Sequence, residues 1–212
     1  MAYLSFARFL QRVWSVVLTQ IGAVFLSRMP WLVVVSAGLA LPAAAHDQGD
    51  AWAAMRQGNA VVLIRHAYAP GVGDPPGFLL GDCTTQRVLN DEGRQQARRI
   101  GHAFKERGVQ VGRVVSSQWC RALETAHLAF PGKVLEEPVF NSFFQERVGQ
   151  EEQTSKARAL IRQWRGPGVL VIVTHQVNIT ALTGVVPASG QGLVVRIDDG
   201  QDDVRQLGSI QW

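Results

Sequence analysis

The chain has 212 residues, two cysteines, 47% hydrophobic residues and a formal net charge of +4. Residues 1–45 contain three arginines and no acidic residue, so they carry most of this charge and leave residues 46–212 close to neutral. A nearly neutral domain offers no basic surface for a phosphate backbone. We therefore expect no nucleic-acid partner.

Residues 1–45 are typical of an export signal. The apolar run 31–41 is followed by small residues up to Ala45, where an export peptidase would cleave, and then by polar sequence. An earlier and weaker apolar stretch at 13–27 makes this leader long, so translation from Met29 and an uncleaved N-terminal anchor both stay open. We expect a periplasmic or secreted protein that meets the membrane only through the leader, if the leader is retained.

Residues 46–212 suit a single domain with its own core, and their pattern alternates strands with helices. The predicted strands are 60–65, 113–116, 133–135 and 169–173, the predicted helices are 90–107, 119–129, 154–164 and 178–183, and an edge hairpin is predicted at 193–197 and 204–210. Such alternation implies a largely parallel sheet. The predicted fold is a three-layer, doubly wound α/β sheet, mostly parallel, with helices on both faces.

A loop rich in chain breakers follows the first predicted strand directly. Residues 68–77 contain three prolines and three glycines, which is typical of a surface excursion. Because the loop starts beside His66, a candidate site residue, we favour the interpretation that it is a flap on the substrate side.

Two histidines end two predicted strands. His66 follows the strand at 60–65 and His175 follows the strand at 169–173, so both side chains are expected at the carboxyl edge of the sheet, where open α/β sheets bind ligands. One such histidine alone is more often a core or surface residue. Two in matching positions, with Arg65 directly before His66, favour a functional site.

Arg121 falls in the first turn of the helix that follows the second predicted strand, at the same sheet edge. A cation there opposes the helix dipole, which indicates an anion that both would bind. Guanidinium groups match phosphate oxygens, and a neutral imidazole is a competent nucleophile toward phosphorus. Since no metal-binding carboxylate cluster is evident, we expect the protein to supply the positive charge, with no metal and no cofactor.

The two cysteines, Cys83 and Cys120, admit three interpretations: a disulfide, two buried thiols or a metal pair. They form no C-x-x-C pair and have no His-x-x-x-His partner, which argues against zinc. An oxidising compartment favours the disulfide.

Four ordered motifs resemble the histidine phosphatase superfamily, in its phosphoglycerate mutase-like branch. They span about residues 60–185 and comprise Leu63-Ile64-Arg65-His66-Ala67, the segment 89–97, Ser116-Ser117 with Arg121-Ala122 and Glu124-Thr125-Ala126, and Thr174-His175. The resemblance implies a doubly wound α/β fold. It also implies that His66 is the nucleophile that becomes phosphohistidine, while Arg65, Arg121 and His175 hold the phosphoryl group.

Two positions depart from the family pattern. Many relatives carry a proton-donating Glu shortly after the third strand, where this chain has Ser142; the carboxylates left as candidates are Asp82, Glu136, Glu137 and Glu146, of which we select Glu146. Relatives often have Gly after the second histidine, where this chain has Gln176. Gln176, Ser142 and Asn178 are therefore candidate substrate-binding residues, with a helix N-cap as the alternative role for Asn178.

The resulting hypothesis is an exported, metal-independent phosphomonoester hydrolase that works through phosphohistidine. Its expected partner is a small-molecule phosphate ester or a phosphorylated envelope component. A phosphoglycerate-type mutase is one alternative. A non-catalytic phosphate-binding module that lacks the acid is the other.

Overall fold

The computed structural model describes residues 43–132, 134–198 and 200–212, so the predicted leader lies outside the described residues up to position 42. No helix within these ranges is both long and apolar enough to cross a bilayer. The elements, in chain order, are α1 Ala43–Gln57, β1 Val61–Arg65, α2 Asp91–Glu106, β2 Val111–Ser116, α3 Cys120–Ala129, β3 Val134–Glu136, α4 Gln150–Arg162, β4 Val169–Thr174, α5 Gln176–Thr183, β5 Gly192–Arg196 and β6 Arg205–Ile210.

The six strands form one mixed sheet in the order β3-β2-β4-β1-β5-β6. The pairs β3-β2, β2-β4 and β4-β1 are parallel, whereas β5 and β6 add an antiparallel hairpin at the far edge. The predicted α/β fold and its edge hairpin are confirmed. The topology also makes β1 and β4 neighbours, and these strands end at the two histidines.

Helices cover both faces of the sheet because successive strand residues point to opposite sides. On β1, Val62 and Ile64 join a core cluster with residues of α1, α2 and α3, while Val61 and Leu63 join a second cluster with residues of α4 and α5. The continuous apolar runs of β1 and β4 are therefore buried from both sides, as expected for central parallel strands.

The N-terminal helix α1 is a difference from the sequence prediction, which assigned no element before residue 60. Trp52 makes edge-on contacts with Phe104 and Trp212, with ring centroids 5.9 and 5.6 Å apart. The helix buries only a short stripe of apolar residues between polar and small ones, so its sequence period is weak. Its place depends on aromatic partners that are distant in sequence.

The start of α2 fixes the chain just after His66. Asn90 caps the helix, its side-chain oxygen accepting a hydrogen bond from the Gly93 N–H at 2.9 Å. Gly93 packs so closely that a Cβ there would lie 2.0 Å from the carbonyl oxygen of Tyr68. Glycine is thus required at this point of the 89–97 motif, because the helix must touch the backbone of the loop that leaves β1.

Candidate active site

The two histidines meet at the carboxyl edge of β1 and β4. Arg65 pairs with Thr174 in the parallel register, and the His66 N–H donates to the Thr174 carbonyl at 2.9 Å. Both imidazoles are buried, and their ring centroids lie 5.4 Å apart. Adjacent parallel strands therefore bring together two residues that are more than one hundred positions apart in the chain.

The hydrogen bonds of His66 assign its tautomer. Nδ1 lies 2.8 Å from the carbonyl oxygen of Ala67, which can only accept, so Nδ1 carries the proton. Nε2 accepts from the Nε–H of Arg121 at 3.2 Å. Burial first, and then the charge of Arg121, hold the pKa of His66 well below its ordinary value of 6.5. The ring is thus neutral at pH 7, with a lone pair on Nε2.

His175 is held in the opposite tautomer. Its Nδ1 lies 3.5 Å from Nη2 of Arg121, which can only donate, so the proton resides on Nε2 and is donated to the Ser117 hydroxyl at 2.8 Å. Ser117 in turn donates to the side-chain oxygen of Asn141 at 3.2 Å. Burial, followed by the neighbouring His66 and Arg121, lowers the pKa of His175 well below its ordinary value.

Arg121 lies between the two rings and is only 3% exposed. Its Nη1 donates to the carboxylate of Asp74 at 2.8 Å, and the Asp74 side chain is itself 4% exposed. Burial lowers the pKa of Arg121 to about 10, with Asp74 partly offsetting that effect, so the guanidinium stays charged at neutral pH. In the free protein, the anion that balances Arg121 is therefore the carboxylate of Asp74, in the loop after β1.

That loop is anchored to the start of α3 by several contacts. Cys83 and Cys120 form a disulfide, as predicted. The Trp119 indole N–H donates to Asp74 at 3.0 Å, and the Cys120 backbone N–H donates to the side-chain oxygen of Gln86 at 3.0 Å. The loop is therefore held over the sheet edge, in the position expected of a flap.

A cavity of about 170 Å³ opens beside these side chains. It is lined by the two histidines, three arginines and segments of two loops, namely Arg65, His66, Gly71, Val72, Gly73, Asp74, Arg87, Arg121, Ser142, Phe144, Gln145, His175, Gln176 and Val177. Nε of Arg65 is buried without a hydrogen-bond partner, while Nη1 donates to the Pro187 carbonyl at 2.9 Å. The cavity is strongly cationic, which favours the binding of an oxyanion.

The other predicted site residues divide into two groups. Ser142 and Gln176 line the cavity. Glu146 is exposed and does not line it. Asn178 is buried away from the cavity, where its amide donates to the Asn141 carbonyl at 2.9 Å. The predicted N-cap alternative for Asn178 is wrong, because α5 already begins at Gln176.

Sequence reasoning missed two charged residues of the cavity, Asp74 and Arg87. Asp74 belongs to the predicted flap, but no sequence pattern indicates that its carboxylate faces Arg121. Arg87 donates from Nε to the Gly73 carbonyl at 2.9 Å, and so holds the same loop. The sequence signal for Arg87 was its position just before the 89–97 motif.

Comparison with known proteins finds a family model that matches part of the chain. The model of the histidine phosphatase superfamily (branch 1) matches residues 61–149, a segment that contains Arg65, His66 and Arg121. This match covers 89 of the 212 residues and relates that segment to the histidine phosphatase superfamily. His175 lies beyond the matched segment, and the sheet brings it to the other three residues. A search among curated proteins finds no match.

Solved structures share the fold at low sequence identity. The protein histidine phosphatase SixA, complexed with tungstate, superposes with a TM-score of 0.51 at 17% identity, covering 72% of this chain and 96% of that chain. The phosphoserine phosphatase of Entamoeba histolytica, in complex with 3-phosphoglyceric acid, gives a TM-score of 0.51 at 15% identity, covering 72% of this chain and 97% of that chain. At these identities the likeness concerns the fold, and together with the family match it supports an enzyme of the phosphatase class.

The lowered histidine pKa values predict a pH-dependent stability. The unfolded chain takes up protons below about pH 6.5, whereas folded His66 and His175 resist protonation, so the free energy of unfolding falls as the pH drops through this range. Each histidine contributes at most about 1.4 kcal/mol per pH unit to this loss. Denaturant titrations at several pH values between 7 and 5 should show a shallower loss for His66→Gln than for the wild type. Identical slopes would contradict the assignment.

Proposed function

We propose that the chain is a metal-independent phosphomonoester hydrolase that acts through a phosphohistidine on His66. The observation that carries this proposal is the tautomer of His66, which leaves a lone pair on Nε2, in a residue that lines a cavity together with three arginines. A neutral imidazole fixed in this way is a preorganised nucleophile for a bound phosphoryl group.

In the first step, Nε2 of His66 attacks phosphorus. The bond between phosphorus and the ester oxygen breaks as the bond from phosphorus to nitrogen forms, and the ester oxygen takes a proton from a carboxyl group of the site and departs as the alcohol. Arg65, Arg87 and Arg121, which line the cavity, supply donors for the phosphoryl oxygens. These charges stabilise the transition state where its negative charge is spread over the equatorial oxygens.

In the second step, water attacks the phosphohistidine and releases inorganic phosphate. The bond from phosphorus to nitrogen breaks and returns the lone pair to Nε2 of His66, while a proton of the water passes to the carboxylate that gave up its proton in the first step. The bond from Nδ1 to the Ala67 carbonyl keeps the ring in one orientation throughout. No change of tautomer is needed between the two steps.

We infer that Asp74, rather than Glu146, exchanges the proton with the leaving oxygen. Asp74 is the carboxylate among the lining residues of the cavity, and it lies on the loop that covers the site. A phosphate that enters competes with Asp74 for Arg121. This competition leaves the carboxyl group beside the ester oxygen.

We further propose that the protein works in the periplasm or outside the cell, on a small phosphate ester or a phosphorylated envelope component. The leader-like residues 1–45 and the Cys83–Cys120 disulfide support an oxidising, exported location. SixA, a protein histidine phosphatase, and the phosphoserine phosphatase both act on phosphorylated molecules by their names. Fractionation of cells that express the full chain tests the location, and recovery only in the cytosol would contradict it.

The activity is tested with p-nitrophenyl phosphate, which has a good leaving group. Wild-type protein should hydrolyse it equally well with and without a chelator, and His66→Ala should lose at least about a thousandfold in kcat/KM because the nucleophile is gone. Rapid quenching followed by mass spectrometry under neutral conditions should trap a phosphoryl group on His66. Equal activity in His66→Ala would refute the proposal, and phosphate binding with neither turnover nor a trapped species would favour a binding module.

The role of Asp74 is tested by varying the leaving group. An alkyl phosphate needs a proton on its leaving oxygen far more than p-nitrophenyl phosphate does, so Asp74→Asn should lower kcat by about 10²–10⁴ on the alkyl ester and by much less on the aryl ester. Exposed Glu146→Gln is the matched control and should leave both rates unchanged. Equal losses on both esters in Asp74→Asn would mean that Asp74 only positions Arg121.

A further inference from the structure

Exposed apolar side chains are concentrated around the mouth of the cavity. Within the described residues, the exposed large hydrophobic side chains all lie in three loops at the carboxyl edge of the sheet: Tyr68, Val72, Leu79 and Leu80 after β1, Phe144 and Val148 before α4, and Val186 before β5. Single exposed apolar residues are ordinary, but their restriction to the edge that carries the site points to a ligand.

Two of these side chains line the cavity itself. Val72 is 87% exposed and Phe144 is 48% exposed, and both border the opening. Their loops are in contact, because the side-chain amide of Gln145 donates to the Asp74 carbonyl at 3.1 Å and the Phe144 ring lies 3.8 Å from the Cβ position of Gly73. Val72 and Phe144 therefore form an apolar mouth, the name used below for this pair.

Two of the uncharged polar side chains beside the mouth already make a hydrogen bond within the protein. The Ser142 hydroxyl accepts a hydrogen bond from the Phe144 N–H at 3.3 Å, and Gln145 is committed to the Asp74 carbonyl. Gln176 is the third uncharged polar side chain that lines the cavity, after Ser142 and Gln145. A leaving group rich in hydroxyls would lose water here and find few partners, which disfavours its binding.

We infer that the substrate is a phosphate monoester with an apolar leaving group, an alkyl or aryl chain that lies against the apolar mouth while the phosphate occupies the cationic interior. This inference rests on the proposed phosphatase activity and specifies its substrate class. The interior provides charge for the phosphate, and Val72 and Phe144 provide the surface that an apolar chain covers. Val72 and Phe144 are therefore specificity-determining residues.

The test is a series of monomeric alkyl phosphates, from ethyl to hexyl phosphate, below their micelle concentrations. kcat/KM should rise about two- to fourfold per added methylene until the mouth is covered, because each methylene leaves water. Glycerol 1-phosphate, which has the same carbon count as propyl phosphate, should react at least about tenfold more slowly than propyl phosphate. A flat series, or equal rates for this pair, would overturn the inference.

Matched variants locate the effect. Val72→Ser and Phe144→Ser should each flatten the chain-length dependence while p-nitrophenyl phosphate hydrolysis still requires His66. Val148→Ser is the control, since Val148 is also 87% exposed but does not line the cavity, and it should keep the wild-type dependence. A Val148→Ser effect as large as that of Val72→Ser would overturn the assignment to the mouth.

Binding of alkylphosphonates separates this inference from the proposed activity. These compounds carry the same chains on a carbon–phosphorus bond that the proposed mechanism does not cleave, and calorimetry measures their affinity for the full chain without turnover. Hexylphosphonate should bind at least about tenfold more tightly than ethylphosphonate. Equal affinities would overturn the inference, whereas loss of p-nitrophenyl phosphate hydrolysis with chain-dependent binding would overturn only the phosphatase proposal.

Discussion

The buried guanidinium of Arg121 is the constraint on which the rest of the site depends. A charge that is 3% exposed is costly to bury unless its donors are matched, and here they meet Asp74, the Arg87 carbonyl and one nitrogen of each histidine. Because a guanidinium only donates, it requires a lone pair on both imidazoles. Burial is the main cause of the lowered pKa values of His66 and His175, and Arg121 adds to it, while its donors suit the opposite tautomers that the Ala67 carbonyl and the Ser117 hydroxyl also favour.

The need to balance the buried charge of Arg121 also determines the position of the loop after β1. Asp74 reaches the guanidinium only because its loop is tied to the start of α3, through the Trp119 indole and the Cys83–Cys120 disulfide. Loop position and the charge balance of the cavity are thus linked. A phosphate that binds Arg121 changes the partners of Asp74, so substrate binding acts directly on the loop that covers it.

The sequence predicts the parts of the site that depend on local patterns. It does not predict the parts that depend on tertiary contacts. The apolar runs of β1 and β4 identify buried parallel strands, and sheet topology then places His66 and His175 at one edge. The position of Arg121 can be predicted as well, because the helix after β2 starts at that edge. Asp74 could not be predicted, since its place depends on tertiary contacts of an irregular loop. Glu146 has the right chemistry but lies in an exposed stretch, residues 144–149.

The two proposals for the site divide its work between the sheet and the loop. Groups at the sheet edge and the start of α3, namely Arg65, His66, Arg121 and His175, would act on the phosphoryl group, which is common to all phosphate monoesters. The loop after β1 would act on the part that varies. It carries Val72, which borders the mouth, and two residues later Asp74, which lines the interior. An alkyl leaving group is a poor one and needs a proton. Val72, which would recognise the apolar chain, and Asp74, which would protonate the leaving oxygen, therefore belong to one short segment. Movement of that segment would then affect specificity and leaving-group departure together, while leaving the nucleophile in place.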